Sequence, residues 1–138
     1  AAPLPIAKAI SAIQSHSTSN PTSFAQSGAV EALDGPQDHL DEWLGHFSQR
    51  RTFACEKLNA IEGVSCVNSE GAFYLFPNIS GTGMKSVEFC ERLLAEVKVA
   101  AVPGIAFGSD DYIRISYATS MENLQQALER VESFVGSL

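Results

Sequence analysis

Apolar positions recur every three or four residues over most of the chain and every two only in its middle. Ile6, Ala9, Ile10 and Ile13 share one helix face, and the polar run Gln14-Ser15-His16-Ser17-Thr18-Ser19 interrupts it. Asn20-Pro21 predicts a restart, with Asn as the cap and Pro at the first helical position, where no N–H is needed. That second helix runs to about Leu33 and meets the breaker Asp34-Gly35-Pro36. The stripe Leu40, Leu44, Phe47, Arg51, Ala54, Leu58, Ile61 then steps by four and three, with Trp43 beside it. From Gln37 to Gly63 this helix is about 25 residues, close to 40 Å, long enough to bridge two parts of a larger structure. Gly63 is its expected left-handed stop.

After Gly63 the period becomes two. Val64–Val67 and Ala72–Phe76 read as strands, followed by a Gly-rich loop from Asn78 to Lys85. Val87, Cys90, Leu93, Leu94 and Val97 form an amphipathic helix. Val99–Val102 is a short strand stopped by Pro103-Gly104, and Tyr112–Ala118 is another strand. Thr119-Ser120-Met121-Glu122 fits a capping box, and a helical stripe from Leu124 to Val135 closes the chain. The order α-α-α-β-β-α-β-β-α, without internal repeats, gives an α+β class with helices covering one face of a small sheet. Residues 1–36 hold too little to build a core and read as helices left from a larger domain. Residues 37–63 form the long connecting helix, and 64–138 a small α+β domain. Without a sheet to cover it, the face from Ile6 to Ile13 is expected to stay apolar and exposed.

Composition narrows the partners. The 138 residues carry 16 acids against 9 bases, a net charge of −7. That balance argues against nucleic acid, whose binders show a basic footprint. No stretch approaches the roughly 18 apolar residues of a membrane helix, and the opening residues lack the layout of a secretory signal. Cys55, Cys66 and Cys90, an odd count without CxxC spacing, make neither a disulfide framework nor a zinc site. A reducing compartment, cytoplasmic or an organelle interior, is expected.

Arg114 is the most informative position. Alternation in Tyr112–Ala118 puts Ile113, Ile115 and Tyr117 on one face and Tyr112, Arg114, Ser116 and Ala118 on the other. A mid-strand guanidinium calls for an anion, and its planar fork suits a carboxylate. A local ion pair with Asp110 or Asp111 is the competing reading. The hydroxyls from Ser15 to Ser19, read as lying just before a helix N-terminus, form either an anion site or an ordinary cap loop. Gly81-Thr82-Gly83 is too short for a phosphate loop, and His16, His39 and His46 lack metal spacing.

Three stretches, Gln14–Gln26, Gly71–Pro77, and Pro103–Gly108 with Tyr112–Ala118, resemble in order and spacing the C-terminal part of class I (fold type I) pyridoxal-phosphate aminotransferases. They are most similar to the bacterial-type aspartate aminotransferase subgroup, which includes enzymes acting on prephenate in bacteria and plastids. The resemblance implies the small C-terminal domain of a PLP-dependent transferase-like fold, joined by a long helix to a larger cofactor domain. It implies that Arg114 grips the substrate α-carboxylate and that Phe73 lies near it as pocket wall. It also implies that Ser17, Thr18 and Ser19 reach the cofactor phosphate of a neighbouring subunit in a homodimer. Amino acids and 2-oxo acids would be the substrates, pyridoxal 5'-phosphate the cofactor, and transamination of aspartate (or aspartate and prephenate) with 2-oxoglutarate the reaction. The family's Schiff-base lysine stands in a Ser-Lys motif, and none of Lys8, Lys57, Lys85 and Lys98 follows a serine. The segment alone is therefore expected to be inactive. A free-standing α+β module binding amino or keto acids through Arg114 is the alternative.

Overall fold

Among residues 2–138, which the computed structural model describes, the chain forms five α-helices and one three-stranded antiparallel sheet. The α+β class expected from the pattern is the class observed. The chain divides into two compact units, one ending at His39 and the other running Leu40–Leu138.

The first unit contains α1 (Leu4–Ser17) and α2 (Ser23–Asp34). The polar run does not interrupt α1, which continues through Ser17. It ends where Thr18 N and Ser19 N both donate to Gln14 O at 2.9 and 3.0 Å, with Ser19 in the left-handed region at φ 62°. Asn20-Pro21 does not start α2 either. The extended Thr22 occupies the cap position, and Gln26 Nε2 reaches back to donate to Pro21 O at 2.8 Å. No residue of α1 or α2 is buried. The predicted apolar stripe stands open, with Ile10 54% and Ile13 68% exposed.

The helix α3 (Asp38–Asn59), which lies in the second unit from Leu40 on, stops four residues short of Gly63. The reason is Asn59, whose carboxamide accepts from Cys66 N at 2.8 Å and donates to Cys66 O at 2.8 Å and Cys55 O at 2.9 Å. This side chain takes the place of a neighbouring strand. Val64–Val67 therefore forms no strand, only a bridge between Ser65 and Asn78. Gly63, at φ 82°, serves the turn after the helix instead, where the backbone of Gly81 leaves no room for a Cβ.

The sheet is smaller than the pattern predicts. β1 is Tyr74–Leu75, β2 Val102–Pro103 and β3 Ile113–Ser116, in the order β1-β3-β2. Pro103 is not a stop but part of an edge strand, the one place in a sheet that tolerates a missing N–H. Leu75, Ile113 and Ile115 face the core with Tyr117. Above them, α4 (Ser86–Val97) supplies Phe89 and Leu93, and α5 (Met121–Val135) supplies Leu124, Leu128, Val131 and Phe134. Phe89 and Phe134 meet edge to face at 5.2 Å, a geometry that adds to area burial. Ala54, Cys55 and Leu58 of α3 complete the cluster. The α5 cap is Ser120 rather than Thr119: its hydroxyl accepts from Asn123 N at 3.1 Å. No helix among the described residues is long and apolar enough to cross a membrane.

Candidate functional site

Arg114 lies on the middle strand, on the face turned away from the core. The registers Tyr74↔Ser116 and Val102↔Arg114 put Tyr74, Val102, Arg114 and Ser116 on that same face. With Ala100 and Ala101 these residues line a depression of about 140 Å³. The arginine is half-buried, and its Cζ sits 4.3 Å from the Tyr74 ring centroid and 4.6 Å from that of Phe107. Stacking on aromatic faces suits a guanidinium, which is weakly hydrated above and below its plane. Its N–H groups make no hydrogen bond or ion pair to any described residue.

The competing ion pair is absent because both nearby acids are engaged elsewhere. Asp110 Oδ1 accepts from Ser86 Oγ at 2.6 Å and Ser86 N at 3.2 Å, at the start of α4. Asp111 pairs with Lys85 Nζ at 2.6 Å, and the bond and charge of that carboxylate hold the lysine above its usual pKa. The guanidinium edge is left open and set between two aromatic rings, and its planar fork has the chemistry to receive a carboxylate.

Phe73 is not one of the two rings stacked on Arg114. Its ring packs on Tyr74 at 4.5 Å and on Phe47 at 6.3 Å, and Tyr74, one residue later, presents its ring to the arginine. Ser17, Thr18 and Ser19 are exposed at the C-terminal end of α1, and Thr18 Oγ1 donates to Gln14 O at 3.4 Å. A helix C-terminus carries the negative end of the dipole, so α1 gives an anion at these positions no dipole assistance. What remains at these positions is a set of accessible hydroxyls.

Two residues missed in the sequence complete the site. Phe107 was in plain view inside Pro103–Gly108, yet a short 3₁₀ turn (Gly104–Phe107) lies beyond the reach of strand alternation. Ser86 is fully buried, and its hydroxyl also accepts from Ile105 N at 3.2 Å, tying that turn to α4. Among the described residues no three His, Cys, Asp or Glu side chains gather into a metal site. All three cysteines are free thiols. Burial, with Cys55 alongside, pushes Cys66 up to about 12, and burial pushes Cys90 up to about 11.

Comparison with known proteins places this geometry in context. The family model for aminotransferase class I and II matches residues 1–131. The chain is 50% identical over 135 residues to an aspartate aminotransferase of Bacillus subtilis (strain 168), covering 94% of this chain and 34% of that protein. It is 47% identical over 141 residues to a probable aspartate/prephenate aminotransferase of Rickettsia felis, covering 95% and 34%. Among solved structures, the aspartate aminotransferase of Rhizobium meliloti superposes with a TM-score of 0.89 at 42% identity, over 94% of this chain and 35% of that one. An aromatic aminotransferase of Pyrococcus horikoshii gives 0.85 at 38% identity, over 91% and 34%. The chain thus spans about a third of the length of these relatives.

Proposed function

The chain belongs to the class I and II aminotransferase family, and from that premise we propose that it is the part of an aspartate-type aminotransferase that holds the substrate α-carboxylate. One observation carries the reading: the Arg114 guanidinium stands half-buried on the open sheet face with no anion among the described residues. Two N–H groups of its fork donate to the two oxygens of a carboxylate, which fixes the orientation of the attached α-carbon. Because amino acid and 2-oxo acid share that carboxylate, the same grip serves both halves of a transamination. The names of the relatives make aspartate (or aspartate and prephenate) our choice of substrate, and 2-oxoglutarate, which the family resemblance implies, our choice of partner.

In this reading residues 1–36 belong to the cofactor domain, 37–63 connect, and 64–138 form the small domain that closes over the substrate. Pyridoxal 5'-phosphate, when bound, supplies the electron sink for chemistry at the substrate α-carbon. The exposed hydroxyls of Ser17, Thr18 and Ser19 fit its phosphate as neutral donors from a second subunit of a homodimer. No lysine of the chain is assigned to hold the cofactor covalently: none follows a serine, Lys85 is paired with Asp111, and Lys98 Nζ donates to Ala95 O at 2.7 Å. The 138 residues alone then have no transaminase activity. We assign the enzyme to the cytoplasm or an organelle interior such as a plastid.

Replacing Arg114 with Lys in the full-length enzyme tests the grip, because lysine keeps the charge and loses the fork. We expect kcat/KM to fall about 30- to 1000-fold, alike for every amino-acid substrate. The cofactor absorbance and the fold should be unchanged. A lower melting temperature with intact kinetics would mean that Arg114 is structural.

A further inference from the structure

Among the described residues no acceptor aims the guanidinium that is to meet a carboxylate. A long side chain left unanchored keeps its rotamer freedom, which binding would have to remove. Here two rings take the place of an acceptor. Tyr74 comes from β1, beside the arginine, and Phe107 from the turn that follows β2, so ring faces reach Arg114 from two different segments of chain.

Phe107 is itself held in place, though the residue is 49% exposed. Its turn is pinned by Gly104 N donating to Tyr112 O at 2.8 Å and by Ser109 N donating to Gly104 O at 3.0 Å. Gly104 is the point of closest approach: a Cβ there would collide with the carbonyl oxygens of Tyr112 and Ser109. From the other end, the Ser86 hydroxyl holds Ile105 N while donating to Asp110. The ring then abuts Phe76 edge-on at 5.9 Å and 87°, and Phe76 stacks on Tyr112 at 5.0 Å and 11°. Of these three rings Phe107 is the one that meets the Arg114 guanidinium.

We propose that Tyr74 and Phe107 are positioning residues of the transamination site, acting through Arg114 by holding its guanidinium for the substrate carboxylate. The inference rests on the carboxylate grip proposed above. Cation–π contacts leave the N–H edge free, unlike an acidic partner, so the arginine is held without its binding capacity being consumed. The rings lower the cost of binding by ordering the side chain beforehand. They make no bond that changes during the reaction. Their loss should therefore appear in KM and not in kcat.

A double-mutant cycle in the full-length holoenzyme tests this, with Phe107→Leu and Arg114→Lys made singly and together. Phe107→Leu should raise KM about tenfold for amino-acid and 2-oxo-acid substrates alike, with kcat changed less than about twofold. Phe107→Tyr, which keeps the ring face, should lose less than about threefold. In the Arg114→Lys background the Phe107→Leu effect should shrink to less than about twofold, because the group it orders is gone. An unchanged KM in Phe107→Leu, or an equal loss in both backgrounds, overturns the positioning role while leaving the carboxylate grip in place. A silent Arg114→Lys overturns the grip itself. If Phe107→Leu does not fold, Tyr74→Leu runs through the same cycle with the same expectations.

Discussion

The residues before Leu40 and those after it obey the same helical periodicity with opposite results. Ile6, Ile10 and Ile13 repeat as regularly as Leu124, Leu128 and Val131, yet the first set is more than half exposed and the second is at most 3% exposed. Periodicity states which side of a helix seeks cover. It does not state that cover is present. In Leu40–Leu138 three helices share one cluster with a sheet face, whereas α1 and α2 bury no residue. Apolar burial is the main favourable term in folding, so stability should be concentrated in the second unit.

The strongest way to break that comparison is to truncate one apolar residue in each region of the 138-residue chain. Phe89→Ala empties a fully buried site and should cost about 3–5 kcal/mol in urea denaturation followed by near-UV signal. Ile10→Ala should cost less than about 0.5 kcal/mol, since its side chain is already in water. Comparable losses would show that the first region shares in a core.

Helix caps sharpen the contrast at smaller scale. Ser120 accepts a bond from Asn123 N, while Thr22, in the equivalent position of α2, makes no side-chain cap bond. Ser120→Ala should destabilise by about 1 kcal/mol, and Thr22→Ala should be barely measurable. Equal effects in the same denaturation assay would refute the distinction.

The smallest effect is confined to one region by the placement of cysteines, all of which lie after Leu40. The Cys66 thiol is raised from 9.0 to about 12 in the folded state. The folded chain thus prefers the neutral thiol, a preference fully present below pH 9 and lost as pH rises toward 12. Between pH 9 and 10 the unfolding free energy should fall by a fraction of about 1.4 kcal/mol, solvent exposure of the half-buried site reducing the full slope. Cys66→Ser should remove about half of that slope, because the Cys90 thiol, raised to about 11, supplies the rest. A wild-type slope that survives unchanged would locate the ionisation elsewhere.

How far the sequence reached follows from which interactions are local. The stripes that became α4 and α5 were legible because each is one amphipathic face closing on one core. Val64–Val67 misled because alternation cannot reveal that Asn59, across a turn, satisfies the backbone of Cys66. The candidate arginine and its face were legible from alternation in Tyr112–Ala118. Which aromatic met it was not: Phe73 and Tyr74 are adjacent, and only the register Tyr74↔Ser116 decides which of them shares the arginine's face. Ser17, Thr18 and Ser19 were legible only as hydroxyls and not by their place, since a run of hydroxyls looks the same before one helix as after another. Phe107 stood inside Pro103–Gly108 with nothing to single it out, because a 3₁₀ turn has no period long enough to read.

Gly104 carries a consequence for heredity. Every nucleotide change that replaces a glycine with another amino acid adds at least one carbon beyond the backbone, whatever chemistry follows it. Here that first carbon already meets two carbonyl oxygens. Alanine, serine, valine, aspartate and arginine are therefore rejected for one shared reason, before size, charge or polarity is tested. A saturation library selected for growth on the enzyme's activity should return glycine at position 104 and almost nothing else. At neighbouring Ile105, half exposed, the same library should return a broad alphabet.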